Sequence, residues 1–247
     1  MIFVFLHILK NHDDDCSIQE LFVKSVYTFF PNTRLIQVSD LKTPKVKNVK
    51  EVFRFDGDPS KIMEFRINAN QELDLKEPAI YIDSDMVLLK KFDKEKFIIN
   101  KKNVLLKRSF NNDFIMKENF KNIEFKEFKN RTLGEIFPFL ACFIKSNSSD
   151  FWLQMKNELN LIDSKYLYWY GDQVALKNLL KKSFENFDFV DEKLFACPPE
   201  YLDKKKFPFI VHFKGDFNKS VISNNINNIK NYLDVCKQIM KKNNSKI

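Results

Sequence analysis

Asp83 and Asp85 stand two residues apart in AIYIDSDMVLL, residues 79–89, after four residues patterned like a buried strand and before four more apolar ones. Carboxylates in such company are costly unless paired or metal-bound. Side chains alternate along a strand, so extended backbone here would turn both carboxylates to one side, where they could share a divalent cation. The competing role is a structural pair serving nearby lysines. Asp-x-Asp also occurs at Asp13/Asp15 and Asp56/Asp58, so the spacing is a weak signal and context must decide. Asp58 precedes Pro59 and reads as a helix cap, while Asp13 to Asp15 read as an exposed acidic loop.

Two further segments carry chemistry. In FIVHFKGDFNK, residues 209–219, His212 follows an apolar strand and stands close to Gly215 and Lys219. A strand histidine can be a satisfied core residue, but the chain has only four glycines. One of them three residues from the histidine indicates backbone that bends tightly or approaches a ligand, and a lysine nearby can meet a phosphate as a point charge. In YWYGDQVALKNLL, residues 168–180, Gly171 can end a loop and Asp172 can cap a helix. Alternatively, Asp172 and Gln173 present a carboxylate and an amide suited to sugar hydroxyls.

These groups need a scaffold to position them. IFVFL (2–6) is a short apolar run suited to a strand buried on both faces. SIQELFVKSVYTFFP follows, with Ser17 and Glu20 in capping-box spacing and a stop at Pro31. RLIQV (34–38) and VFRF (52–55) read as strands. A helix starting at Asp58–Pro59 places Ile62, Phe65, Ala69 and Leu73 on one stripe, and AIYI is the next strand. FPFLACFI (137–144) reads as a strand, SDFWLQMKNEL as a helix capped near Ser149 or Asp150, and FPFIVHF as a late strand, with a helix from Asp172 between them. Residues 91–135, rich in Lys and Phe, give no clear pattern. Strands alternating with helices predict an α/β fold with a mainly parallel sheet covered on both faces. Ligands of such sheets lie beyond the carboxyl ends of the strands, where Asp83 and Asp85 fall.

At 247 residues, 44% hydrophobic and 30% charged, the chain suits one large folded domain. The formal net charge is +8. A basic balance attracts phosphates, yet the lysines are spread from Lys10 to Lys246 among Asn, Ile and Phe, as codon bias would also produce. Cys16, Cys142, Cys197 and Cys236 are too widely spaced for a zinc motif or redox pair and read as reduced packing residues. MIFVFLHILK lacks the basic residues before it and the cleavage site after it of a secretion signal, so a cytoplasmic protein is expected. Ile222, Ile226, Ile229, Leu233, Cys236 and Met240 form the stripe of a C-terminal amphipathic helix, packed on the domain or lying on a membrane surface. The boundaries are 1–220 for the domain and 221–247 for the helix and polar tail.

Asp-x-Asp after a buried strand, Gly-Asp-Gln opening a helix about ninety residues later, and a closing HFKG with a lysine nearby together resemble a known family. It is the metal-dependent glycosyltransferases with one nucleotide-sugar-binding α/β domain, nearest the retaining branch that contains glycogenin and lipopolysaccharide galactosyltransferases. The order of motifs covers the chain to about residue 220. The resemblance implies a single Rossmann-like nucleotide-diphospho-sugar transferase domain with a mostly parallel mixed sheet. It implies that Asp83, Asp85 and His212 coordinate Mn2+, with Mg2+ as an alternative, on the diphosphate of a UDP-sugar. Gly215 and Lys219 would touch that diphosphate, Arg66 and Ser84 the donor, and His7 and Asp40 the uracil and ribose. Asp172 and Gln173 would sit by the donor sugar as the catalytic pair. A glycan or lipid-linked acceptor follows, and no nucleic acid. The sequence departs from the family in DFNKS, where a Lys-Pro-Trp segment is usual, and in FLACFI, where Asn-x-Gly precedes the strand.

Three other readings fit parts of the chain. A phosphatase of the haloacid dehalogenase type would use Asp83 as nucleophile and Asp85 as acid/base, but Leu176 stands where its later acidic residue belongs. A nucleotidyltransferase would need a glycine-rich loop after the first strand, which is absent. A basic nucleic-acid module would show zinc-finger spacing or an RNA-recognition aromatic motif, and neither occurs.

Overall fold

The computed structural model describes residues 1–9, 16–202 and 206–214. The Asp13–Asp15 loop, Gly215, Lys219, Cys236 and the stripe between residues 222 and 240 lie outside the described residues. Along the chain run β1 (Ile2–Leu6), α1 (Ser17–Phe29), β2 (Arg34–Ser39), β3 (Glu51–Arg54), α2 (Ile62–Glu72), β4 (Ala79–Ile82), β5 (Met86–Leu88) and α3 (Lys94–Ile99). Then come β6 (Asn103–Lys107), β7 (Asn119–Phe120), β8 (Ile123–Glu124), α4 (Leu133–Ile136), β9 (Phe139–Ser146) and α5 (Asp150–Leu159). The last are α6 (Gly171–Ser183), β10 (Phe187–Asp191), α7 (Glu192–Phe195) and β11 (Ile210–His212).

Seven strands form one sheet in the order β10-β6-β9-β4-β1-β2-β3. Neighbours among β3, β2, β1 and β4 are parallel, as are β6 and β10. Only β9 is reversed, lying antiparallel between β4 and β6. This is the α/β fold with a mostly parallel mixed sheet. β1 explains why both faces are covered. Its side chains alternate, sending Ile2, Val4 and Leu6 into a core shared with α2, α5 and α6, and Phe3 and Phe5 into a core shared with α1 and α3. A strand buried on both sides has no polar face to show, hence its unbroken apolar run. Phe3, Phe5, Phe22, Phe65, Phe125, Phe137, Phe143 and Phe213 are all fully buried, so these phenylalanines serve packing, not a nucleic-acid surface.

Several local expectations are corrected. The N-cap of α1 is Cys16, with no side-chain cap bond; Ser17 is the first helical residue, one place too late to cap. A capping box does form at Thr132 and Glu135. Asp58 accepts hydrogen bonds from the backbone N–H and hydroxyl of Ser60, and α2 begins only at Ile62, after Lys61; Asp58 therefore shapes the preceding turn. Ser149 gives no cap bond to α5 and donates its hydroxyl to Asp74 at 2.8 Å. The segment 91–135 contains β6, an interior strand of the main sheet between β10 and β9. Among the described residues, no helix is long and apolar enough to cross a membrane.

Candidate metal and donor site

β4 ends at Ile82, and the next residues turn. Asp83 N–H donates to the Cys142 carbonyl of β9 at 3.0 Å, and Met86 N–H donates to the Asp83 carbonyl at 3.1 Å. That second bond closes a turn over Ser84 and Asp85, so the expectation of extended backbone through the pair is corrected. The carboxylates converge by turning, not by strand alternation. Ser84 sits partly exposed at the turn.

The apolar residues after the pair leave the main sheet. β5 pairs antiparallel with β11 in a separate two-stranded sheet, with His212 opposite Met86. Phe213 N–H donates to the Asp85 carbonyl at 2.9 Å. This register brings His212 Nε2 to 3.1 Å from Asp85 Oδ1. Asp83, Asp85 and His212 each offer a ligand atom, and these atoms lie within 4.8 Å of one another. Two carboxylate oxygens with one imidazole nitrogen suit Mn2+, and the oxygens are also acceptable to Mg2+. Burial opposes the charged form of His212, but Asp85 and the neighbouring Cys142 outweigh it and its pKa is pushed up to about 9. His212 Nδ1 is buried without a hydrogen-bond partner among the described residues.

From Asp83 a chain of contacts runs inward. The Tyr81 hydroxyl donates to Asp83 Oδ1 at 2.9 Å, and Arg66 Nη2 lies 3.6 Å from the same oxygen. Arg66 Nη1 donates to Asp172 Oδ2 at 2.5 Å, with the guanidinium carbon 5.3 Å from the centre of the Tyr81 ring. Burial works against the arginine charge, yet Tyr81, Asp83 and Asp172 together hold its pKa above the usual range. Burial raises the Asp172 pKa, with Arg66 opposing. Asp172 is 3% exposed, and its other oxygen accepts the Gln173 N–H at 2.7 Å. Asp172 is therefore a first-turn residue facing Arg66; the N-cap of α6 is Tyr170. Gly171 is required by a close approach, since a Cβ there would stand 2.2 Å from the Tyr166 carbonyl oxygen. Tyr170 has φ 66°, in the left-handed region that non-glycine residues seldom occupy.

Arg66, Asp83, Asp172, Gln173 and His212 line a cavity of about 430 Å3 walled by Phe137, Trp169 and Tyr170. No protein-family model and no curated protein matches this chain. The site is consequently read from its own geometry. A larger cavity, about 500 Å3 and lined by Phe92, Phe97, Phe195 and Phe209, lies apart from the metal-ligand cluster.

Of the residues expected at the site, Asp83, Asp85, His212, Arg66, Asp172 and Gln173 share this one cavity or its rim. His7 and Asp40 follow the carboxyl ends of β1 and β2 but are not among the cavity's lining residues. His7 Nε2 is 3.6 Å from Cys16 Sγ, and Asp40 Oδ1 accepts the Thr43 N–H at 2.8 Å. Sequence reasoning missed Tyr81, Arg108, Glu192 and Lys214. Glu192 is 1% exposed; it accepts the N–H groups of Ser109 and Phe110 and meets Lys214 Nζ at 3.2 Å. It thereby ties the end of β6 to the segment after His212. Tyr81 could have been suspected, because two residues before Asp83 it shares that residue's side of the strand.

Proposed function

We propose that this protein is a metal-dependent glycosyltransferase, moving a hexose from a UDP-sugar to a glycan or lipid-linked acceptor with retention, as its motifs imply. The observation that carries the reading is the meeting of Asp83, Asp85 and His212, from distant segments, within 4.8 Å beside the Arg66–Asp172 pair. The sheet order supports it, because the cluster lies beyond the carboxyl end of β4, on the side where open α/β sheets take ligands.

In this reading Asp83, Asp85 and His212 hold a divalent cation, Mn2+ by preference. When bound, the cation supplies positive charge to a diphosphate leaving group. Arg66 adds fixed positive charge next to it and locks the Asp172 carboxylate in place. Asp172 in turn accepts the Gln173 N–H and so orients the start of α6 and with it Gln173, whose side-chain oxygen faces Arg108 at 3.5 Å. Tyr81 holds one oxygen of Asp83, so that carboxylate is aligned before any ligand arrives. Preorganised charge of this kind stabilises developing charge more than mobile water does.

The phosphatase alternative receives less support. It needs a later acid near Asp172, and Leu176 is fully buried in the core there. It also leaves His212 without a task, although the imidazole is one of the cluster's possible ligands.

The test is a screen of nucleotide sugars for Mn2+-dependent donor hydrolysis, with Asp85→Ala as control. Turnover of a UDP-sugar that disappears in the variant supports the reading; turnover unchanged by the variant removes the metal role. Tighter binding of RNA than of UDP with Mn2+ at moderate salt would favour a nucleic-acid module instead.

A further inference from the structure

Arg66 and Arg108 both line the cavity, yet their charges are treated differently. Arg66 meets two carboxylates, Asp172 and Asp83. Arg108 is 9% exposed and lines the same cavity, but no carboxylate lies within ion-pair distance of it among the described residues. Its Nε donates to the Phe137 carbonyl at 2.7 Å, and Nη2 reaches Gln173 Oε1 at 3.5 Å. Glu192 is the nearest acidic influence, but its carboxylate is already engaged by two backbone N–H groups and Lys214. Burial lowers the Arg108 pKa, consistent with a charge lacking a close counterpart.

A guanidinium presents five donors in a rigid fork that matches a carboxylate with two parallel hydrogen bonds. Among the described residues only one of the five is used at good length. A buried charge without an opposite charge is expensive, and a cavity wall that carries one is built to be neutralised by what enters. Position narrows the occupant. Contacts run from Arg66 through Asp172 to the start of α6 and Gln173, whose side chain faces Arg108, so Arg108 stands beside Gln173. On the proposed function the diphosphate belongs at the ion and Gln173 by the transferred sugar, so an anionic group carried on a sugar can reach Arg108.

We propose that Arg108 recognises the carboxylate of an acidic sugar, making a hexuronate, on the donor or on the acceptor, the preferred occupant of the cavity beside Gln173. This rests on the glycosyltransferase reading for the source of the sugar, but the carboxylate site itself can be tested without it.

The experiment has three arms on the full chain. Free glucuronate and galacturonate are compared with glucose and galactose by thermal shift and by NMR titration, for the wild type, Arg108→Gln and Arg108→Lys. Calorimetry with Mn2+ then compares UDP, UDP-hexose and UDP-hexuronate. Finally, transfer from the accepted donor is compared between hexuronide and hexoside acceptors. The proposal expects at least a tenfold preference of the wild-type protein for hexuronate over hexose in one carrier. Arg108→Gln should lose it, and Arg108→Lys, which keeps the charge without the fork, should retain part of it. A UDP-hexuronate preference identifies the donor as the source, and a hexuronide preference the acceptor. Equal binding of hexuronate and hexose by the wild-type protein in every arm overturns the proposal, even if both variants fail to fold. Absence of UDP binding alongside a free-hexuronate preference lost in Arg108→Gln would overturn the glycosyltransferase reading and leave the carboxylate site standing.

Discussion

The two ends of β9 treat buried polar groups in opposite ways. Near its carboxyl end Lys145 is 1% exposed, and its ammonium is answered by three neutral acceptors. These are the Asn100 carbonyl at 2.6 Å, the Lys102 carbonyl at 3.0 Å and Asn147 Oδ1 at 2.5 Å. Near its amino end Leu140, Ala141 and Cys142 form part of the cavity, and the Cys142 carbonyl holds the Asp83 N–H where two carboxylates, an imidazole and an arginine crowd together. The first arrangement closes a loop and leaves no donor of the ammonium idle. The second concentrates charge that a packed core would avoid.

This contrast predicts that changes at one end affect activity and at the other stability. The largest effect is expected from Asp85→Ala, which removes a ligand of the cluster. Metal-dependent turnover of the donor should fall about 1,000-fold, close to 4 kcal/mol of barrier, in steady-state assays, while the thermal midpoint stays within a few degrees. A fall in midpoint large enough to unfold the protein would mean that the cluster is structural.

Gly171→Ala should affect both properties. Its methyl group meets the Tyr166 backbone oxygen and a Leu159 methyl group, and overpacking of that kind costs about 3 kcal/mol. Urea denaturation measures the loss, and a refolded variant should also bind the donor more weakly because α6 carries Asp172 and Gln173. Native stability would show that the loop of Tyr166 gives way freely.

Lys145→Met leaves three acceptors unanswered and should cost about 2 kcal/mol with metal binding intact. Burial pushes the Lys145 pKa down to about 8 from 10.5. The unfolded chain therefore holds this proton more tightly than the folded one. Below about pH 8 both states are protonated and the cost of charge burial is constant; between about 8 and 10.5 the unfolded state carries the extra proton, and stability from this group rises with pH. The unfolding free energy of the wild type minus that of Lys145→Met should rise with pH across that window, because His212, with its pKa pushed up to about 9, titrates in both proteins and cancels in the difference. The smallest effect, about 1 kcal/mol, is expected for Thr132→Ala, which opens the capping box of α4.

Those two ends also differed in how far they could be read from sequence. β1 and β4 were delimited to the residue, because a strand buried on both faces is an unbroken apolar run. Asp83 and Asp85 were conspicuous for ending such a run. The turn that brings them together was not legible, since a backbone bond from Met86 to Asp83 leaves no mark on residue types. β6 and β10 were missed because charged residues in and beside them, Lys101, Lys102, Lys107 and Arg108 for β6 and Asp188 and Asp191 within β10, blur the apolar pattern. Arg108 went unread for the same reason: within a lysine-rich stretch one more cation carries no signal until its burial is known. Lys145 sits inside an apolar strand, and only its three acceptors explain why the charge is tolerated.

The central claim is that Asp83, Asp85 and His212 hold one divalent ion. Pulsed electron paramagnetic resonance of the protein with one equivalent of Mn2+ tests it directly. The wild-type protein should show imidazole nitrogen coupled to the bound ion, lost in His212→Ala, with affinity also lost in Asp85→Ala. Bound Mn2+ without nitrogen coupling, or with coupling that persists in His212→Ala, would contradict the account.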